Sequence, residues 1–336
     1  MPLYNTLSAA QRAKWIDEAG KERLTLSFYK YHCLDNPQAW RDRFYADWEA
    51  MDVLGRIYVA QEGINAQLSL PAENMAAFHA YLEAVDFLRG IRLNVAIEQS
   101  NKSFLKLKIK VRPKILADGI EDDSFDATKT GPHLAAAEFN DLVENPDTLL
   151  VDMRNHFESE IGHFPGAVLP ESETFRQALR ETADKLVDYK KDKSVIMYCT
   201  GGIRCEKASA FFLHQGYSKV YQLEGGIIHY LHQIEKSGLP NKFLGKNFVF
   251  DQRLAEKVSE DVVATCHQCN QPCDTHINCG NKACNILFLQ CRECREKWSQ
   301  CCSERCKSIA SLPHAQQKAL RKGNSASAKY FKKTER

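Results

Sequence analysis

The sequence predicts a multidomain α/β protein in three parts: a small α+β domain, a parallel-sheet α/β domain and a cysteine-rich zinc-binding module. Three observations predict it. Residues 24–97 read strand, helix, strand, strand, helix, strand by their apolar periodicity. Residues 133–245 alternate strands with helices, the pattern of a parallel sheet covered on both faces. Ten of the 13 cysteines fall between Cys266 and Cys306. A chain of 336 residues is long enough to supply a core to each of two or three such parts.

Composition bounds the function classes. Hydrophobic residues make up 44% and charged residues 26%, an ordinary globular balance, and the net charge of +2 carries little information. No apolar run approaches membrane-spanning length, and Met1-Pro2-Leu3-Tyr4-Asn5 lacks a signal-peptide pattern. The expectation is a cytoplasmic protein without a membrane partner. Clustered cysteines in such a chain point to metal rather than disulfides.

Residues 1–20 hold a short helix capped by Ser8. The domain over 21–117 follows, with strand Leu24–Lys30, helix Pro37–Met51, strands Val53–Ala60 and Ile64–Leu70, helix Ala72–Leu88 and strand Arg92–Ile97. This order is that of ferredoxin-like (acylphosphatase-like) domains. Leu105 to Arg112 then alternates strictly, burying Leu105, Leu107, Ile109 and Val111 on one face. The other face presents Lys106, Lys108, Lys110 and Arg112, with Lys102 and Lys114 nearby. Six bases without an intervening acid make either a phosphate-binding stripe or a solvated strand face. Residues 118–132 are acidic, poor in apolar residues and end in Gly131-Pro132, and read as an interdomain linker.

The domain over 133–245 is centred on Val195-Ile196-Met197-Tyr198-Cys199-Thr200-Gly201-Gly202-Ile203-Arg204. An apolar strand ends in a cysteine, two glycines follow, and a helical pattern starts at Arg204. The glycines let successive N–H groups converge on one point, and the helix dipole adds partial positive charge there. A thiol so placed ionises readily and acts as a nucleophile, with Arg204 stabilising its anion. The loop sits at a strand's carboxyl end, where parallel sheets bind ligands. Cys205 is a candidate to resolve an oxidised sulfur or to pack in the helix, and packing is the favoured reading.

The six-membered loop from Cys199 to Arg204 resembles the active loop of rhodanese-type sulfurtransferases, whose cysteine carries a persulfide. Cysteine phosphatases have a loop one residue longer. Val151-Asp152-Met153-Arg154, running through Glu158 to Gly162-His163-Phe164-Pro165-Gly166-Ala167, is similar to the first block of the rhodanese family, and Leu223-Glu224-Gly225-Gly226 to its closing turn. Asp152 and Arg154 are expected to pair within the fold, and His163 to order its turn.

In residues 246–306, Cys266-x-x-Cys269, Cys279-x4-Cys284, Cys291-x-x-Cys294 and Cys302-x3-Cys306 supply four ligand pairs. Short loops aim two thiolates at one ion, and eight thiolates fill two closed, structural zinc sites. The first and third pairs are expected on one ion and the second and fourth on another, leaving Cys273 and one of Cys301 and Cys302 spare, with Cys302 taken as the ligand. An iron–sulfur cluster is the rival. Residues 307–336 form a basic tail (Lys307, Lys318, Arg321, Lys322, Lys329, Lys332, Lys333 and Arg336), a solubilising end or a polyanion contact.

The three-part order, with Glu62-Gly63-Ile64-Asn65 and Cys-Thr-Gly-Gly-Ile-Arg-Cys at 199–205, resembles the bacterial tRNA uridine hydroxylase family. The resemblance implies 5-hydroxylation of the wobble uridine at position 34 of tRNA anticodons, with molecular oxygen as co-substrate and Cys199 as catalytic cysteine. It also implies the anticodon loop as partner and a sulfur or electron donor protein behind the reaction. No flavin or nicotinamide fingerprint is evident. Two other readings stay open. A plain sulfurtransferase needs neither the basic stripe nor the zinc module, and a zinc-dependent RNA-binding protein does not need the Cys199 loop.

Overall fold

In the computed structural model, residues 4–122, 124–321 and 330 are described. Helix α1 (Ala9–Ala19) starts at Ser8, whose hydroxyl accepts the Gln11 N–H, and stops at Gly20 in the left-handed conformation. The first domain comprises β1 (Arg23–Tyr31), α2 (Pro37–Ala50), β2 (Leu54–Ala60), β3 (Gly63–Pro71), α3 (Met75–Ala84), β4 (Asn94–Val95) and β5 (Leu107–Val111). Its sheet runs β4-β1-β3-β2-β5. The first four strands take the ferredoxin-like order, antiparallel throughout, and β5 adds a parallel edge beside β2. Leu26, Phe28, Ile57, Val59, Ile64, Ala66 and Leu68 point to α2 and α3 and bury Phe44, Trp48, Phe78 and Leu82 with them.

Three expectations change here. The helix expected over Ala72–Leu88 is interrupted: a 3-10 turn precedes α3, and extended Val85 ends it so that Phe87 and Leu88 can turn into the core. The strand expected over Arg92–Ile97 shrinks to Asn94–Val95. The strand expected from Leu105 to Arg112 is β5 over Leu107–Val111, so Leu105 is only half-buried outside it and Val111, expected to be buried, is 39% exposed at its end.

The second domain contains β6 (His133–Leu134), α4 (Ala136–Leu142), β7 (Thr148–Asp152), α5 (His156–Ser159), β8 (Gly162–His163), α6 (Phe175–Lys185), β9 (Ser194–Tyr198), α7 (Ile203–His214), β10 (Val220–Leu223) and α8 (Gly226–Ser237). Strands β6-β10-β9-β7 form one parallel sheet. Alternation along β9 sends Val195, Met197 and Cys199 into the core with α6 and α7, and Ile196 and Tyr198 into the core with α4 and α8.

The acidic stretch joins these domains but is tied down at its start. Asp118 is buried, and Lys207 of α7 binds Asp118, the Leu116 carbonyl and both oxygens of Glu62 in the β2–β3 turn. The last part holds β11 (Leu244–Phe248), β12 (Ala255–Lys257), β13 (His276–Asn278), β14 (Leu287–Leu289), α9 (Arg292–Lys297), α10 (Glu304–Ala310) and α11 (His314–Arg321). Strand β11 pairs with both β8 and β12, so the sheet crosses the boundary expected at residue 245. The expected basic tail begins as helix: Lys307 lies on α10 and bonds the Lys297 carbonyl, and Lys318 and Arg321 lie on α11. Lys322, Lys329, Lys332, Lys333 and Arg336 lie outside the described residues. Among the described residues no helix is long and apolar enough to cross a membrane.

Candidate active site

Cys199 is fully buried where β9 gives way to the loop. The Gly202 N–H donates to its sulfur at 3.2 Å. Burial pushes this thiol up. The neighbouring Cys205 thiol, the Arg204 guanidinium and the Cys205 and Arg204 N–H groups outweigh burial and lower it to about 6. Two glycines are sterically required here, Gly202 in the loop and Gly226 at the start of α8, which packs against it. Gly202 has φ +95° and a Cβ there would meet the Tyr29 hydroxyl at 2.8 Å, while a Cβ on Gly226 would lie 2.5 Å from the Cys199 carbonyl oxygen.

Arg204, expected to stabilise the sulfur anion, is itself held by an acid. Its guanidinium makes a bidentate pair with buried Glu158, at 2.6 and 2.9 Å, and reaches the Thr200 hydroxyl at 3.3 Å. Glu158 therefore fixes the cation beside the sulfur, a role the sequence did not reveal. Cys205 is buried in the first turn of α7 and hydrogen-bonds Cys199, so packing does not turn it away from the loop. Asp152 and Arg154 pair at 2.7 Å in full burial, and His163 Nδ1 meets the Ser159 carbonyl at 2.8 Å, as expected of structural residues.

The loop forms part of the wall of a cavity of about 590 Å³, a size suited to a nucleotide. All three parts of the chain line it. Thr200, Gly201, Ile203 and Arg204 come from the loop, Ser27, Tyr58, Gln67 and Asn94 from the open face of the first sheet, and Val249, Phe250, Arg253 and Glu256 from beyond β11. The domains also bond directly across it. The Tyr29 hydroxyl donates to Glu206 at 3.0 Å, the Tyr31 hydroxyl to the Ile203 carbonyl at 3.3 Å, and Asn94 Nδ2 to the Gly201 carbonyl at 3.3 Å. A trace of this wall is visible in the sequence: β1, β2 and β3 carry polar residues at every second position (Thr25, Ser27; Arg56, Tyr58; Asn65, Gln67).

Strand register places the basic stripe. Asn94 pairs with Ser27, Ser27 with Gln67, Gln67 with Arg56, and Arg56 with Lys108, so one row on one face runs from the Cys199 loop to the sheet edge. Tyr29, Asn65, Tyr58 and Lys110 form the next row, and Arg112 stacks over Tyr58 with its carbon 5.6 Å from the ring centre. Lys108, Lys110 and Arg112 are exposed and Lys106 half-buried. The six-base stripe is shorter than expected, because Lys102 pairs with Asp17 and Lys114 with Asp118.

In the last part, the sulfurs of Cys266, Cys269, Cys291 and Cys294 lie within 4.8 Å of one another, as do those of Cys279, Cys284, Cys302 and Cys306. These sets could each hold one metal ion, and they combine the first pair with the third and the second with the fourth. N–H donors point at the sulfurs: Cys291 N–H to Cys266 at 3.4 Å, Cys302 N–H to Cys279 at 3.5 Å, and Asn281 Nδ2 to Cys306 at 3.4 Å. Four sulfurs with such donors suit thiolates closed around a tetrahedral ion.

Three family models match the chain: the UPF0176 acylphosphatase like domain over residues 23–115, the rhodanese-like domain over 135–232 and the rhodanase C-terminal region over 244–307. Among curated relatives, a protein of Leptospira interrogans is 48% identical over 333 residues, covering 99% of this chain and 90% of its own length. Relatives from Photorhabdus laumondii and Cronobacter sakazakii are each 49% identical over 334 residues, covering 99% of this chain and 94% and 95% of theirs. All three carry the name tRNA uridine(34) hydroxylase.

Proposed function

The chain belongs to the tRNA uridine(34) hydroxylase family, and from that membership we propose that the cavity beneath the Cys199 loop receives the base of the anticodon uridine. The observation that carries this reading is that the Cys199 loop lies in the wall of a nucleotide-sized cavity, whose lining residues Arg56 and Tyr58 stand in register with exposed Lys108 and Lys110. An anticodon loop presents unstacked bases flanked by phosphates, and such bases enter pockets of this kind.

The chemistry follows from the thiolate. Cys199 adds through sulfur to C6 of uracil, which makes C5 electron-rich. C5 then takes hydroxyl from an oxidant at the peroxide level, molecular oxygen carrying two electrons from a donor protein, and the second oxygen leaves as water. Loss of the C5 proton with expulsion of the Cys199 thiolate restores the ring as 5-hydroxyuridine. Arg204, held by Glu158, stabilises the sulfur anion as it leaves. Nucleoside mass spectrometry of tRNA from a strain lacking this chain tests the reading, with 5-hydroxyuridine at position 34 expected to vanish and to return on complementation. An unchanged profile overturns it. A tRNA substrate assigns the work to the cytoplasm.

Lys106, Lys108, Lys110 and Arg112 are assigned to the phosphates flanking the target base, a contact indifferent to sequence. Reversing Lys106, Lys108 and Lys110 to glutamate together is expected to weaken tRNA binding and flatten its salt dependence, by a slope of about one per lost contact. Binding as tight as that of the unaltered chain across a salt titration makes the stripe a solvated face.

The two four-cysteine groups are assigned to structural zinc, whose binding supplies folding energy to a module with little apolar core of its own. Elemental analysis of freshly reduced protein is expected to give about two zinc ions per chain. Iron with inorganic sulfide, or no metal, overturns the assignment.

A further inference from the structure

A built cavity that awaits a ligand leaves some of its own polar atoms without partners. Two such acceptors here belong to residues more than nine-tenths buried: Asn94 Oδ1 and Glu256 Oε2, neither of which has a donor among the described residues. Buried acceptors are ordinarily paired, so each marks a place where a donor is missing.

Their surroundings differ. The other oxygen of Glu256 accepts the Ile97 N–H at 3.1 Å and pairs with Arg253, so this carboxylate is already engaged on the wall beyond β11. Asn94 is fastened to the nucleophile's own loop. Its Nδ2 donates to the carbonyl of Gly201, two residues from Cys199, and that bond fixes which way the amide faces. Oδ1 is thereby left as a fixed, buried acceptor without a donor among the described residues, on a residue that lines the cavity and is bonded to the Cys199 loop.

Uracil has one donor on its pairing edge, the N3–H between two carbonyls, whereas cytosine bears a lone pair at N3. A fixed acceptor opposite N3 therefore admits uracil and repels cytosine. N3 and C6 are opposite corners of the ring, so a grip at N3 leaves C5 and C6 clear for the chemistry. We propose, resting on the uridine reading above, that Asn94 is the residue that reads the base, accepting the N3–H of uracil on Oδ1.

The test uses the full chain and three anticodon stem-loops that differ only at position 34, carrying uridine, N3-methyluridine or cytidine, with dissociation constants read by fluorescence anisotropy. The unaltered protein is expected to bind the uridine loop about tenfold or more tightly than the other two. Asn94→Leu should bring all three within about twofold of one another, at the level of the poorer ligands. Asn94→Asp keeps an acceptor and should keep the preference for uridine over N3-methyluridine, which separates a lost acceptor from a disturbed loop. Glu256→Gln should leave the preference intact. A melting curve accompanies each variant, and if Asn94→Leu does not fold, Asn94→Asp decides: uridine and N3-methyluridine loops bound alike overturn the proposal. A preference for uridine that survives in Asn94→Leu, or that Glu256→Gln alone removes, overturns the role of Asn94 while the uridine reading stands. Equal binding of all three loops by the unaltered protein overturns both.

Discussion

Cells whose only copy of this chain carries Cys199→Ser are expected to contain no 5-hydroxyuridine at position 34 of their tRNAs, while the variant accumulates as a folded protein. The loop aims its donors at one sulfur and brings the thiol to about 6, so at neutral pH the unaltered residue is mostly thiolate. An alcohol at the same point stays protonated and does not add to C6. The pH profile gives a second readout. Alkylation at Cys199 should rise as pH climbs through about 6 and level off above it, because only the deprotonated sulfur reacts. The modification has to be followed at the Cys199 peptide, since Cys33 is exposed and reacts as well. Wobble hydroxylation that survives Cys199→Ser would remove this cysteine from the mechanism.

The largest effect on stability is expected from Lys207→Met. Lys207 is 1% exposed and joins Asp118 at 2.5 Å, Glu62 at 2.8 Å and the Leu116 carbonyl at 3.1 Å, so one ammonium ties α7 to both the first domain and the connecting stretch. Removing it strands the buried Asp118 carboxylate, takes a partner from the half-buried Glu62, and is expected to cost about 3–5 kcal/mol in a denaturant titration. Burial pushes the Asp118 carboxyl up, but Lys114 and Lys207 bring it below its ordinary value. The stability tied to that shift is present at neutral pH and fades as pH falls through the carboxylate range, and the variant should lose part of this acid sensitivity. Adding Asp118→Asn and Glu62→Gln to Lys207→Met should recover most of the loss, because the stranded charges are then gone. A loss below about 1 kcal/mol would mean that water or Lys114 already serves these carboxylates.

Legibility in the sequence tracked how local the cause was. Strands β7 and β9 lie where apolar runs place them, and the Cys199 loop was readable because strand, glycines and helix start are adjacent in the chain. The four cysteine pairs were readable from spacing, since each is a short loop, whereas which two pairs meet is set by the fold. Residues set by distant partners were not readable. Glu158 stands 46 positions from the arginine it clamps, and Asn94 stands 107 from the carbonyl it bonds. Lys207 reads as an ordinary helical lysine until Glu62 and Asp118 are folded against it. The shortening of the stripe has the same origin, because Asp17, 85 positions from Lys102, is far away in sequence.

The cavity's walls also emerge from the ribosome at different times. The sheet that carries Ser27, Gln67 and Asn94 is complete first, Cys199 follows, and Phe250, Arg253 and Glu256 come later. Domains fold largely as they are made. A nascent chain released just after α8 would therefore hold a sensitised sulfur with one side of its chamber missing, open to any small electrophile and unable to enclose a base. Finishing the chain adds the last wall around that sulfur, so the part made last supplies enclosure to a nucleophile made before it.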